Sequence, residues 1–300
     1  MTPIPPGQIE KSISHLPVLP DEALHGLRAD RGGCFFDGTV GLAGHSEAIL
    51  RASPGNYLYG TDRDNQALAL ARQRLSPYNG HFTLFHRDFR QLTGLPLDIG
   101  IIDGFLFDLG VSSFQLEDRQ KGFSYSQDAP LDMRMDQTQG QTAAEVVNTY
   151  SYEQLAGILR EYGELRNPGK LIDQVVFHRK GKKIVTTAEL KEIVRRVMPK
   201  TKTMDPLARV FQALRIEVNQ ELTGLPDFFQ ELFGRMKPGA RVVIISFHSL
   251  EDRIAKTVFK QGQKKGMMTI LTGKPITASA AELRANPRSR SAKLRAAERL

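Results

Sequence analysis

The chain has 300 residues, 40% of them hydrophobic and 25% charged, a composition that excludes fibrous, membrane-embedded and disordered classes and fits a soluble globular protein. Its formal net charge of +8 and isoelectric point near 9.6 favour a polyanionic partner, nucleic acid first. A single cysteine, Cys34, excludes an internal disulfide and a cysteine-based zinc cluster, and suits a reducing compartment.

Residues 1–14 are Pro-rich and read as disordered, with neither the charged start nor the apolar centre of an export signal. No apolar run approaches the ~20 residues needed to span a bilayer. A cytoplasmic protein is expected. A helix enters through Pro20, with Asp21 and Glu22 in its first turn. Strands are predicted at 33–37, 57–62, 81–85 and 99–108, with helices from Ser46 to Arg51 and from Gln66 to Leu75 between them. Strands alternating with helices every 20–30 residues argue for a parallel, doubly wound α/β sheet.

Residues 110–142 then lose periodicity, and a loop of that length usually carries function. From 142 to 204 the pattern is helical, with a capping-box signature at Ser151-Tyr152-Glu153-Gln154 and a further helix opening at Thr187. These features predict a core at 15–125 and 206–300, interrupted by a helical insert at 126–205. A helix from Pro206 to Glu221 leads back to the core. A helix at 226–236, a strand at 241–247, a helix at 249–261 and two terminal strands at 268–272 and 291–299 complete it.

The chemistry gathers at strand ends. Phe35-Phe36-Asp37-Gly38-Thr39-Val40-Gly41-Leu42-Ala43-Gly44 is a strand, a glycine-rich turn and a helix start, where backbone can approach a ligand closely. Four acids, Asp37, Asp62, Asp88 and Asp108, follow strands at spacings of one strand–helix unit, so a parallel sheet brings them to one edge. Asp62 ends the second strand, the usual position of an acid that grips ribose hydroxyls; the alternative is an acid capping the next helix, for which Asp64 also qualifies. The turn lacks the G-x-G-x-x-G spacing of a dinucleotide site. A cationic sulfonium cofactor, S-adenosylmethionine, suits the acids better than a pyrophosphate does. No metal site is indicated.

The chain resembles the MraW or RsmH family of bacterial small-subunit rRNA N4-cytosine methyltransferases. The resemblance rests on Asp37-Gly38-Thr39-x-Gly41-x-x-Gly44-His45-Ser46, Asp62-Arg63-Asp64, Asp103-Gly104-x-x-x-Asp108-Leu109-Gly110 and Pro130-Leu131-Asp132-Met133-Arg134-Met135-Asp136. It continues in Phe211-Gln212-Ala213-Leu214-Arg215 and Ser246-Phe247-His248-Ser249-Leu250-Glu251-Asp252-Arg253. It implies a class I, Rossmann-like methyltransferase core with an inserted helical domain. It also implies S-adenosylmethionine contacts at Ala43, Gly44, His45, Asp62, Phe89, Asp108 and Gln115, and small-subunit rRNA as partner. Whether the chain is monomeric or dimeric is left open. Ala43 replaces a usual glycine, and Phe114, Pro168 and Asp205 are further departures.

Within that reading Asp108 is the candidate to touch both cofactor and target amine, against a purely structural role at the Gly110 turn. His248 is the second catalytic candidate, against a helix-capping histidine. Asp132 and Arg134 either pair with each other or meet substrate. Phe107, Phe114 and Phe123 are candidate stacking partners for a flipped base. Between 170 and 204 ten Lys or Arg stand against three acids, and between 284 and 300 six stand against Glu298, so the RNA-binding charge is expected in the insert and the tail.

Overall fold

The computed structural model describes residues 16–110, 120–138, 140–201 and 205–300. They form two compact units, one from residues 16–110 and 224–300, the other from residues 120–223.

The first unit is built on a seven-stranded sheet, β1 (Gly33–Asp37), β2 (Asn56–Asp62), β3 (Phe82–His86), β4 (Gly104–Asp108), β5 (Arg241–Ser246), β6 (Met268–Ile270) and β7 (Lys293–Arg299). The order is β3-β2-β1-β4-β5-β7-β6. β1 to β5 are parallel, and β7 runs antiparallel to both β5 and β6. β5 is buried at every position and β4 at all but Asp108. Such continuous apolar strands are what a sheet covered on both faces requires. The strand order reverses at β1, which has β2 on one side and β4 on the other, and open α/β sheets take their ligands at the carboxyl ends of the strands at such a point.

The helices in chain order are α1 (Pro20–Leu27), α2 (Gly44–Ala52), α3 (Asn65–Arg74), α4 (Ala143–Thr149), α5 (Tyr152–Glu161), α6 (Gly169–Gly181), α7 (Thr187–Val197), α8 (Pro206–Asn219), α9 (Leu225–Arg235), α10 (Ser249–Lys264) and α11 (Ala280–Ala285). None is long and apolar enough to cross a membrane. On one side of the sheet an aromatic stack joins Phe36, Phe105 and Phe107 of the strands to Phe228, Phe229 and Phe233 of α9. A second cluster contains Leu19, Ile49, Leu58, Leu68 and Val243.

The second unit is helical. Thr142/Glu145, Ser151/Gln154 and Thr186/Glu189 each form a reciprocal capping box, and α7 opens at Thr187 as expected, with Thr186 as its N-cap. Its apolar core takes in Leu155, Leu159, Leu171, Val194, Leu207, Val210, Phe211 and Leu214. The last four belong to α8. The helix expected to lead back to the sheet core therefore buries its stripe in the helical unit, which extends to residue 223. Pro168 stands at the N-terminus of α6, where it ends no helix prematurely, and Asp205 caps α8 and pairs with Arg195 at 2.9 Å.

The fourth strand begins later than the pattern predicts. Asp98 caps a single 3-10 turn at Ile99–Ile101, and Asp103 is diverted to the Cys34 N–H at 2.9 Å and the Lys237 ammonium at 2.6 Å. Burial, with Asp103 nearby, pushes the Cys34 thiol up to about 11, so it stays protonated.

Candidate active site

The turn after β1 is held by strands on both sides. The Gly38 N–H donates to Leu106 O at 2.9 Å and the Val40 N–H to Thr61 O at 3.1 Å. The Thr61 hydroxyl donates to Gly38 O at 3.0 Å, and the Asp108 N–H donates to the Thr39 hydroxyl at 2.7 Å. A side chain cannot be added at Gly38, where a Cβ would stand 2.5 Å from the Phe107 ring, nor at Gly60, where it would stand 2.5 Å from Val40. Ala43 sits at φ 61°, a conformation that suits glycine, and is wholly buried in the core cluster. Its methyl therefore occupies core space.

The four strand-end acids divide into two pairs. Asp37 is 1% exposed and internally used, its oxygens accepting from the Thr39 N–H at 3.0 Å and the Ser46 hydroxyl at 2.7 Å. Burial raises its carboxyl, and the Ser46 bond works against that. Asp88 caps the 3-10 turn Phe89–Gly94. Burial alone would push it up, but the Arg90 hydrogen bonds and charge, with Arg63 beyond, hold it below the ordinary value.

Asp62 and Asp108 differ. Asp62 accepts backbone N–H groups from Gly41 at 2.7 Å and Asp64 at 2.8 Å. Helix α3 is capped by Asp64, whose carboxylate receives Gln66 and Ala67, so Asp62 is spared that task. Burial pushes its carboxyl up to about 6, against the pull of the Asp64 and Gly41 N–H groups. Asp108 has its Oδ2 3.5 Å from Nδ1 of His45. Its Oδ1 is buried and has no hydrogen-bond partner among the described residues. Burial pushes this carboxyl up to about 7, with His45 lowering it and Asp37 and Glu251 raising it. His45 starts α2, beside Gly44, and its Nε2 lies 2.8 Å from Val18 O. Phe89 is half-buried, its ring 5.2 Å from Phe107 and 5.1 Å from Phe228.

The structure thus brings Gly44, His45, Asp62 and Asp108 to one sheet edge, with Phe89 after the neighbouring β3. Gln115 and Phe114 lie outside the described residues. His248 is the N-cap of α10. Its Nδ1 accepts the Glu251 N–H at 3.4 Å, while its buried Nε2, 3.0 Å from a Glu251 oxygen, makes no hydrogen bond among the described residues. Ser246 is buried in β5. Asp132 and Arg134 pair with each other at 2.8 Å. Phe107 and Phe123 are core residues, 0% and 6% exposed, and cannot stack on a base. Sequence reasoning did not single out Thr39, Ser46 or the Val18 carbonyl. Thr39 and Ser46 stand in quoted motifs, but a backbone carbonyl such as that of Val18 leaves no residue-type signal.

This edge suits S-adenosylmethionine. Asp62, released from capping, has the carboxylate chemistry that could hold ribose hydroxyls. The side-chain-free Gly38 and Gly60 keep the turn close to the strands. At the same edge Asp108 holds a buried oxygen without a hydrogen-bond partner among the described residues, a fit for a cationic cofactor.

The family model described as the MraW methylase family matches residues 12–300. The ribosomal RNA small subunit methyltransferase H of Geobacter sp. (strain M21) is 45% identical, with 95% of this chain and 98% of that protein covered. The protein of the same name from Cyanothece sp. (strain PCC 7425 / ATCC 29141) is 45% identical, with 98% of each chain covered. Among solved structures, an rRNA methylase from Streptococcus thermophilus aligns with a TM-score of 0.42 at 13% identity, over 94% of this chain and 96% of that one; a likeness at that level carries no argument. On the family match, the chain belongs to the MraW methylase family, S-adenosylmethionine-dependent methyltransferases with a class I, Rossmann-like α/β core.

Proposed function

We propose that this chain methylates the N4 amine of a cytidine in the decoding region of small-subunit rRNA, in the cytoplasm. The observation that carries the reading is the buried Oδ1 of Asp108 at the carboxyl edge of the sheet, which has no hydrogen-bond partner among the described residues. S-adenosylmethionine supplies an electrophilic methyl group when bound. Asp62 would hold its ribose, Ala43, Gly44 and His45 would line its amino acid end, and Phe89 would pack against its base.

Cytosine N4 is a poor nucleophile because its lone pair is delocalised into the ring. An acceptor on its N–H helps the nitrogen pyramidalise. Asp108 offers that acceptor when ionised. As the C–N bond forms, the methyl–sulfur bond would break with S-adenosylhomocysteine as leaving group, and the amine would give up one proton to Oδ1 of Asp108. Thr39 fixes the Asp108 backbone, so the carboxylate is preorganised rather than recruited. The names of the 45% identical relatives support rRNA as substrate class.

The test is a nucleoside mass map of small-subunit rRNA from a deletion strain, with and without this gene restored. N4-methylcytidine that disappears on deletion and returns on complementation is expected. No change in that nucleoside would overturn the assignment.

A further inference from the structure

His45 lies with one ring nitrogen on a backbone carbonyl and the other on a carboxylate. Nε2 is 2.8 Å from Val18 O, and a carbonyl oxygen can only accept, so Nε2 carries a hydrogen. In a neutral ring, Nδ1 would then present a bare lone pair to Oδ2 of Asp108, 3.5 Å away. The His45 side chain is 9% exposed and that of Asp108 24%, so little water screens such a repulsion. The pair is relieved when one proton lies on Nδ1 or on Oδ2. The other groups facing these two are carboxylates, Asp37 on β1 and Glu251 on α10. Asp37 is tied to Ser46 and Thr39, and Glu251 receives the Phe247 and His248 N–H groups, so neither replaces His45 as a proton donor to Asp108.

We infer that His45 is a positioning residue that holds one proton against Oδ2 of Asp108, keeping Oδ1 free as the acceptor for the target amine. The inference rests on the reading of Asp108 as that acceptor. His45 does not relay the proton onward, because its far nitrogen is bound to the Val18 carbonyl. That bond also makes the segment before α1 part of the site: Val18 sets the tautomer.

The experiment is a pH–rate profile of the full-length protein from pH 5.5 to 9, with small subunits from the deletion strain as substrate and S-adenosylmethionine saturating. In His45→Gln the acid limb of kcat is expected to move up by about one to three pH units, the range an adjacent opposite charge produces. Turnover lost at pH 7 should return at pH 9. A loss equal at all pH values, or an unmoved limb, would overturn the inference. Nitrogen-15 NMR of the unmodified protein covers the case of a misfolded variant. The His45 Nε2 should carry the hydrogen that bonds the Val18 carbonyl, and the Nδ1 signal should shift in Asp108→Asn. An Nδ1 signal that is the same in the unmodified protein and in Asp108→Asn would overturn it as well. Full activity in Asp108→Asn would instead sink the reading of Asp108, which separates the two failures.

Discussion

The backbone N–H of Asp64 donates to Oδ1 of Asp62 at 2.8 Å, while the Asp64 carboxylate turns the other way to cap α3. Two acids two residues apart thus have separate tasks. One starts a helix; the other faces the crevice at the end of β2 and also anchors Gly41 of the glycine-rich turn. Asp62→Ala should weaken S-adenosylmethionine binding by about 10- to 100-fold, since hydrogen bonds to a charged group are worth ~1.5–3 kcal/mol. Asp64→Asn keeps a good N-cap and should stay within about threefold of the parent. Titration calorimetry checks both. Equal losses in the two variants would show that only the helix start matters.

Asp108 makes a prediction about stability that runs opposite to activity. Its carboxyl is pushed from the ordinary 3.8 up to about 7, with burial the largest cause. Between those values the folded chain holds a proton that the unfolded chain has lost. The stability Asp108 contributes therefore falls as pH rises from about 4 to about 7, and is level above that. Asp108→Asn does not ionise, so at pH 8 it should be the more stable protein. With 24% of the side chain exposed and the attraction to His45 lost, the gain is discounted to ~1–2 kcal/mol. Thermal melts should show the gap closing as the pH falls to 5, while methyl transfer is lost throughout. A destabilised variant at pH 8 would contradict the assignment of burial as the dominant cause.

Much of this site was readable before any coordinates. Strand ends at Asp37, Asp62 and Asp108 follow from apolar runs that stop on an acid, and parallel pairing then brings them to one edge. What separates Asp62 and Asp108 from Asp37 and Asp88 was not readable. It depends on partners distant in sequence, such as Ser46 for Asp37, or on a local choice between Arg90 and open solvent for Asp88. The same holds for His248, whose residue type fits catalysis and capping equally until Glu251 is seen folded back on it. Helix α8 shows a further limit. Its stripe of Leu207, Val210, Phe211 and Leu214 declares an amphipathic helix, but periodicity does not say which core the stripe enters. The start of β4 was misread because Ile99 to Ile102 is apolar, while Asp98 and Asp103 bend the backbone there by side-chain hydrogen bonds.

Gly38 is the tightest point of the turn. A Cβ there would lie 2.5 Å from Cδ1 of Phe107, and that ring is already braced by Phe36, Phe89, Phe228 and Phe229. The ring has nowhere to retreat without moving the aromatic stack. Gly38→Ala should cost about 1–3 kcal/mol, the usual penalty of overpacking a core. Urea unfolding followed by circular dichroism should show a lower midpoint with an unchanged slope. Gly157→Ala, in the second unit, meets nothing within 4 Å and should leave the midpoint unchanged or raise it slightly. A neutral Gly38→Ala would mean that the turn has more room than its packing shows.

The basic surplus of the helical unit is smaller on the surface than in the sequence. Arg195 is paired with Asp205, Arg196 with Glu192 and Lys182 with Glu189, while Arg179 and Lys191 donate to the Val147 and Tyr125 carbonyls. Lys180 and Lys183, at and just beyond the end of α6, are exposed. If this unit meets RNA, these two carry more of the phosphate contact than their neighbours. The double variant Lys180→Glu/Lys183→Glu should weaken binding to small-subunit rRNA. It should also flatten the dependence of log affinity on log salt by about 2, one for each phosphate contact removed. Lys182→Ala, whose charge is already matched by Glu189, should change the slope by clearly less than one contact. Filter binding across a salt series measures both slopes. Identical slopes for the parent and the double variant would remove this end of α6 from the RNA interface.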